Sequence, residues 1–363
     1  RAKGSRDSVP CRVWGNAPAP LISRTVQKTA RFFEWYERNA ADFPRLSGET
    51  DDAPRIQRAI DAAAGGELYV PKGVYEIASP LVIKSYTSIC FHSSAVLRAV
   101  KEMDYVLDFN GDNQVRSENN VDVKHMLNMY LKGGVIDGNG LANCLSIQHI
   151  RHFTLSDMTI ANGKKIGLFT DNGCELIGSN LYVHCDMPGL RGNVGMCLKM
   201  GDSHWHDCVV VDYTVGVRVY GGSNRLDRVH VWGGPVKSAE DPNVSEYLID
   251  SVCFHVPYNA GYHDVIFRDC YADTGVTGFL IEDNTRMYGC TYFNNYKIFP
   301  TIHDPLVIDH RYGHLYCDGM EVSSTSPRGR FYEGNNEMTY WGEIYLKGPE
   351  LQSCKFEMPA KTR

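Results

Sequence analysis

Four carboxylates, Asp212, Asp273, Glu282 and Glu246, fall in a stretch that also holds His184, Lys199, Arg218, Tyr220, His230, Trp232, His255 and Tyr271. Two carboxyls about 5 to 9.5 Å apart can act as acid and base, or as acid and nucleophile, in glycoside hydrolysis. Aromatic rings pack against sugar rings, and Lys or Arg pairs with uronate or sulfate groups. The four acids are therefore the catalytic candidates and the other eight residues the substrate-binding candidates. The same set serves two other chemistries. A polysaccharide lyase needs a Lys, Arg, His or Tyr base beside a charge neutraliser, which Lys199, Arg218, Tyr220 and His255 supply by type. A carbohydrate-binding spike without catalysis needs only the rings and the polar edge. An outward acid on a repetitive β fold is more often solvated than catalytic, so position must decide.

Position comes from a repeat. Asp207-Cys208-Val209-Val210, Arg228-Val229-His230-Val231, Asp269-Cys270-Tyr271-Ala272 and Gly289-Cys290-Thr291-Tyr292 share one pattern, which recurs from Asp157, Asn180, Gly319 and Ser353. The steps between leading residues are 23, 27, 21, 41, 20, 30 and 34, and five of the seven fall between 20 and 30. A strand-built period of that size predicts a solenoid whose coils bury their apolar faces on one another. Within one coil, strands are expected over 208–212, 215–220 and 224–227, with turns at Tyr213-Thr214 and Gly221-Gly222. The 41-residue step is one coil carrying an inserted loop over about 233–249. Alternation then sends Cys208, Cys270, Cys290 and Cys354 inward as small apolar residues, and the leading Asp157, Asp207 and Asp269 cap turns. Tyr182, His184, Val209, Asp212, His230, Trp232, Tyr271 and Asp273 form one outward column, and Lys199, Arg218, Tyr220, Cys253, His255, Leu280 and Glu282 a second. Both are expected to converge on one cleft, with the insertion and its Glu240, Asp241 and Glu246 folding over it.

The chain has 363 residues and a net charge of −6, with no basic footprint for nucleic acid. No apolar run approaches the ~18 residues of a membrane span. Twelve cysteines without a Cys-x-x-Cys pair predict mostly free, buried thiols rather than zinc, although a Cys270–Cys290 bridge between stacked coils is open. His204 and His206 share a face around an inward Trp205, which a solvated strand edge explains without a metal. No cofactor is expected. Residues 1–20 carry three prolines and read as an extended arm with no signal-peptide pattern. A first helix is expected over Thr25–Ala41. A second starts at Asp51 or Asp52, carries an Ile56, Ile60, Ala64 stripe and ends at Gly65-Gly66.

The run Gly48-Glu49-Thr50-Asp51-Asp52-Ala53-Pro54-Arg55-Ile56-Gln57, with Gly65-Gly66-Glu67-Leu68-Tyr69-Val70-Pro71 after it, resembles the entry segment of pectate-lyase-like proteins. Gly133-Gly134-Val135-Ile136-Asp137-Gly138-Asn139-Gly140 resembles an early-coil motif of the same group. The resemblance covers about 48–357 and implies an all-β fold, a single-stranded right-handed parallel β-helix with an N-terminal helical cap over 52–64. An arm and helix over 1–47 would precede a β-helix domain over 48–363. It implies a carbohydrate-active enzyme acting on a polysaccharide or oligosaccharide, extracellular or secreted, and often a homotrimer. Polygalacturonases of this superfamily resemble one another in Asn-Thr-Asp, Gly-His-Gly and Arg-Ile-Lys motifs. Gly-His-Gly and Arg-Ile-Lys do not occur here, and the one Asp-Asp is Asp51-Asp52, so that activity is not implied.

Overall fold

The computed structural model describes residues 37–84, 86–110, 126–187, 189–233, 235–237, 240, 245–247, 250–259, 264–294, 304–326, 328–334 and 336–347. They form a right-handed parallel β-helix. Ten strands, from Leu81–Ile83 to Arg330–Gly334, stack in coil order as one sheet. A further 21 form a second sheet, folded along a line of bend residues into two faces. Three expected strands of one coil appear as Val209–Val211, Val215–Val219 and Arg225–Asp227. The 41-residue step is one coil: Val209–Val211 pairs with His230–Trp232, which pairs with Tyr271–Asp273, while Val215–Val219 pairs directly with Val252–Val256. Its insertion contains an antiparallel hairpin, Pro235–Lys237 with Ser245–Tyr247. The coil expected at Ser353, with Cys354, lies outside the described residues.

Alternation fills the interior, where Val210, Val217, Val219 and Leu226 of one coil are all inaccessible to solvent. Trp205 is inward, seated over Gly178 of the preceding coil, where a Cβ would collide with its indole. Cys208, Cys270 and Cys290 are likewise fully buried and unbridged. Burial pushes the Cys208 thiol up to about 12, as expected for a thiol surrounded by apolar atoms.

Cys253 departs from the expected outward column and faces the core with no exposed surface. Strict alternation fails on the ten-stranded sheet because two successive residues, Gly216-Val217 in one coil and Cys253-Phe254 in the next, both face inward. A Cβ at Gly216 would strike Val231 across the core, so the sheets come too close there for most side chains. A small thiol fits where a larger residue would not.

The cap helix spans Ala53–Ala62, with Pro54 in its first turn and Ile56, Ala59 and Ile60 buried. Ala63 rather than Ala64 completes the stripe, since Ala64 is exposed. Asp52 stands at the N-cap but makes no cap hydrogen bond. Asp51 Oδ1 instead accepts from Ala53 N at 2.8 Å, and Asp52 is turned to the sheet. There it accepts from Glu76 N (2.8 Å), Arg45 Nη2 (2.8 Å) and Arg55 Nε (2.6 Å). Gln57 docks the next turn: its amide donates to Val82 O and accepts from Val82 N, both at 2.9 Å. Of the helix expected over Thr25–Ala41, residues to 36 lie outside the described set. Its end is instead a strand, Glu37–Asn39, paired in parallel with Glu67–Tyr69, then a short 3-10 turn that Asn39 caps through Ala41 N.

Two tests follow from this packing. Burial raises the Asp52 carboxyl, but Arg45, Arg55 and the Glu76 N–H outweigh it and leave the pKa below its ordinary value. Its stabilisation is therefore complete above the unfolded-state pKa of about 4 and fades as pH falls through the folded value. Asp52→Asn should lower the urea midpoint at pH 7 by the equivalent of roughly 2–4 kcal/mol, and the gap to wild type should narrow below pH 4. Cys208, Cys270 and Cys290 should stay unlabelled by a thiol reagent in the native state and react once urea unfolds the chain; rapid native labelling of all three would contradict the register.

Candidate functional site

The outer face of the ten-stranded sheet carries a continuous polar ladder. In register across successive coils stand Phe169, Cys197, Arg218, His255, Leu280 and Asp309. Two positions further along come Asp171, Lys199, Tyr220, Pro257, Glu282 and Arg311, at or just past the strand ends. Arg218 Nε donates to His255 Nδ1 at 3.2 Å. That fixes the imidazole tautomer, so Nε2–H donates to Glu282 Oε2 at 2.9 Å. Arg311 closes the chain, giving Nη1 to Glu282 Oε1 at 3.2 Å and Nη2 to Asp309 Oδ2 at 2.9 Å. At the other end Lys199 Nζ sits between two rings, 5.5 Å from the centroid of Phe169 and 5.3 Å from that of Tyr220, with Asp171 at 3.6 Å.

Burial lowers the His255 pKa, more than Glu282 raises it, and the neighbouring Arg218 and Arg311 charges lower it further. The ring is neutral at pH 7, which the Arg218 hydrogen bond requires. Beyond Asp309 the face opens into a depression of ≈ 500 Å³ lined by Thr277, Leu306, Asp309, Arg311, Arg330 and Glu333, among others. Glu282 and Asp309 are each about four-fifths shielded from solvent.

Of the twelve residues singled out by sequence, five share this face: Lys199, Arg218, Tyr220, His255 and Glu282. Five others, His184, His230, Trp232, Tyr271 and Asp273, share the outer face of the strands that follow the bend. The inner sides of the two faces meet across the core, as the approach of Gly216 to Val231 shows, so their outer sides point apart. The single convergent cleft is therefore two separate surfaces. Asp212 belongs to neither column: its φ of 63° places it in the turn between them, with its N–H donating to Trp232 O at 3.2 Å. Glu246 is in the hairpin of the insertion, and its side chain, like Asp241, lies outside the described residues.

On the second surface two pairs of rings already stack on one another. His230 and Tyr271 stack at 4.6 Å with 13° between their planes, and Tyr182 lies against His184 at 4.8 Å and 26°. His230 and Tyr271 stack from one coil to the next and Tyr182 and His184 along one strand, and each stack covers a ring face that a sugar would otherwise use. His184 Nδ1 pairs with Asp186 at 3.0 Å, and Asp273 accepts from Thr274 Oγ1 at 2.6 Å. His206 pairs with Asp207 at 2.9 Å, while His204 beside it is exposed.

Asp309, Arg311 and Phe169 are the residues that sequence reading missed. Leu306–His310 repeats the pattern of Thr277–Ile281 one coil later, so carrying the column one step past Glu282 reaches Asp309. His255 should show its neutral state directly: its imidazole resonances are expected to titrate below the ordinary value near 6.5, and an upward shift would remove the Arg218 hydrogen bond from the ladder.

A family model described as rhamnogalacturonase A/epimerase, pectate lyase-like, matches residues 38–226. Among solved structures, ORF18 of Geobacillus virus E2 superposes with a TM-score of 0.63 at 15% identity, over 91% of this chain and 64% of that one. The chain thus spans less than two thirds of the viral protein. An endo-xylogalacturonan hydrolase from Aspergillus tubingensis gives 0.61 at 12% identity, over 86% and 93% of the two chains. The A-module of a mannuronan C-5 epimerase from Azotobacter vinelandii gives 0.53 at 14%, over 86% and 96%. At these identities the likeness is one of fold. No curated protein matches the sequence.

Proposed function

We propose that this chain, which belongs to the rhamnogalacturonase A/epimerase, pectate lyase-like family, is a glycoside hydrolase that cleaves a polysaccharide or oligosaccharide on the outer face of its ten-stranded sheet. Its family and fold make it a carbohydrate-active β-helix protein; the reaction is inferred from the site. The observation that carries the inference is the Glu282–Arg311–Asp309 arrangement. One guanidinium holding two carboxylates limits their separation to the scale of about 5 to 9.5 Å on which glycoside hydrolysis works. The pair supplies an acid and a base or nucleophile; Asp309 and Arg311 line the depression, and Arg311 holds Glu282 beside it.

His255 holds Glu282 from the side away from Arg311, so the carboxylate is oriented by donors on both oxygens. Arg218 in turn holds His255. Lys199, set between Phe169 and Tyr220, offers a cation and ring edges further along the same face, where an acidic sugar of the chain can bind. Asp212 and Asp273 stand outside this face, which leaves Glu282 as the one of the four carboxylate candidates whose side chain lies in the ladder. Glu246 remains a candidate third acid if its hairpin folds over the bound chain.

Product analysis on a panel of acidic and neutral polysaccharides tests the reaction. New reducing ends without ultraviolet absorbance are expected. Unsaturated uronates would replace hydrolysis with a lyase reaction, and binding without product would leave a spike. On a confirmed substrate, Glu282→Gln and Asp309→Asn should each lower kcat by about 10²- to 10⁴-fold with binding largely kept. If both amide variants retain turnover, this carboxylate pair is not the catalytic one.

A further inference from the structure

Tyr258 and Tyr312 are the two most exposed large hydrophobic side chains among the described residues, at 68% and 62%. Tyr258 follows the strand Val252–Val256, and Tyr312 follows Leu306–His310 and Arg311. The strand between them, Thr277–Ile281, leads into Glu282 and Asp283. The two tyrosines therefore rise from turns two coils apart, about 9.6 Å by strand spacing. Their ring centroids are only 6.4 Å apart, so the rings lean together across the turn that carries Glu282.

The three turns are stitched to one another. Asp283, buried, accepts from Asn259 N at 2.7 Å and from Asn284 N at 2.8 Å. Asn284 Oδ1 accepts from His314 N at 2.9 Å. The backbone on either side of each ring is thus tied to the middle turn, and the pair stands in place before any ligand arrives. Its geometry also differs from the ring ladders elsewhere. Tyr316 and Tyr340 are parallel to within 7°, whereas Tyr258 and Tyr312 meet at 62°, which leaves ring faces open to solvent.

We propose that Tyr258 and Tyr312 form an aromatic wall that seats an uncharged pyranose ring of the substrate beside Glu282 and Asp309. This rests on the hydrolase reading for the neighbouring carboxylates but assigns a separate role, that of specificity. The C–H face of a pyranose removes apolar surface from water when it packs on a phenol ring. The charge beside the wall decides which sugar. Arg311 gives its donors to Glu282 and Asp309, Arg330 is paired with Glu333, and Asp304 and the buried Asp283 add further carboxylates nearby, so no guanidinium at the depression is left over for an acidic sugar. A carboxylate-bearing sugar placed there would meet an excess of negative charge, and a neutral one would not.

The test is affinity measured by calorimetry on Glu282→Gln, which separates binding from turnover. The probes are β-1,4-gluco-oligosaccharides, β-1,4-galacto-oligosaccharides and oligogalacturonates. At least one neutral series should bind. Adding Tyr258→Ala or Tyr312→Ala should weaken it about tenfold each, with the melting temperature unchanged because both side chains are exposed, and Tyr258→Phe should bind as the parent does. With an intact Glu282 the same Ala changes should raise KM and leave kcat nearly constant on a cleaved substrate. Unchanged affinity in the double Ala variant, binding of the oligogalacturonates alone, or binding of no probe would each overturn the wall. Turnover retained by Glu282→Gln would instead overturn the catalytic pair, while loss of neutral-sugar binding in the Ala variants would still support the wall.

Discussion

Each coil turns one of its corners at a single residue in the left-handed region. Asp157, Asn180, Asp207, Arg228, Asp269, Gly289 and Gly319 have φ between 50° and 70°. That conformation costs most L-residues about 1–2 kcal/mol and is tolerated best by Gly, Asn and Asp. The corner resets the alternation, so the residue just after it always points inward: Met158, Leu181, Cys208, Val229, Cys270, Cys290 and Met320 are all at most 2% exposed. A corner shifted by one residue would turn every following side chain to the wrong side. The corners also hold one another, since Asn180 donates to Asp157 at 2.8 Å and Arg228 grips Asp207 through two hydrogen bonds of 2.7 and 2.8 Å. The Arg228 guanidinium, with His206, keeps the Asp207 carboxyl well below the usual carboxylate range. Arg228 is the least suited of the seven to its backbone angle, and its side chain is held by both oxygens of Asp207.

This explains how much was legible in the sequence. The corner residues and their inward neighbours are set by local conformation and alternation, and so the period, the coil with the insertion and the buried thiols at Cys208, Cys270 and Cys290 could be read from residue types. The site could not, because two quantities do not appear in a local pattern. One is which outer face a strand belongs to: Tyr271 and His255 are both outward, yet on surfaces that point apart. The other is the local break in alternation at Gly216-Val217 and Cys253-Phe254, which reflects how closely two sheets approach through the core. Cys253 was misplaced for that reason, and Asp212 because a corner residue looks like a strand end in one dimension.

The polar ladder connects the fold to its chemistry. Arg218, His255, Glu282, Arg311 and Asp309 come from four successive coils, so their mutual distances are set by the stacking of the coils rather than by any loop. Side chains mounted on hydrogen-bonded strands lose little freedom when they pair. The neutral state of His255 depends on the same arrangement: only an imidazole without its second proton can accept from Arg218 and donate to Glu282 together.

Gln57 carries a consequence for the molecule as a whole. Its amide meets Val82 with one donor and one acceptor, as the backbone of another strand would. A stack of coils has no intrinsic length, and a bare first coil would template the addition of foreign strands, including those of its own copies. By imitating a peptide unit at the end of a side chain, Gln57 satisfies that rim with a group that cannot be extended. Asp52 completes the rim at Glu76, its carboxylate accepting from Glu76 N and its backbone N–H donating to Glu76 O. Gln57 and the N-cap Asp52 of one short helix thus close this rim of a repeating lattice.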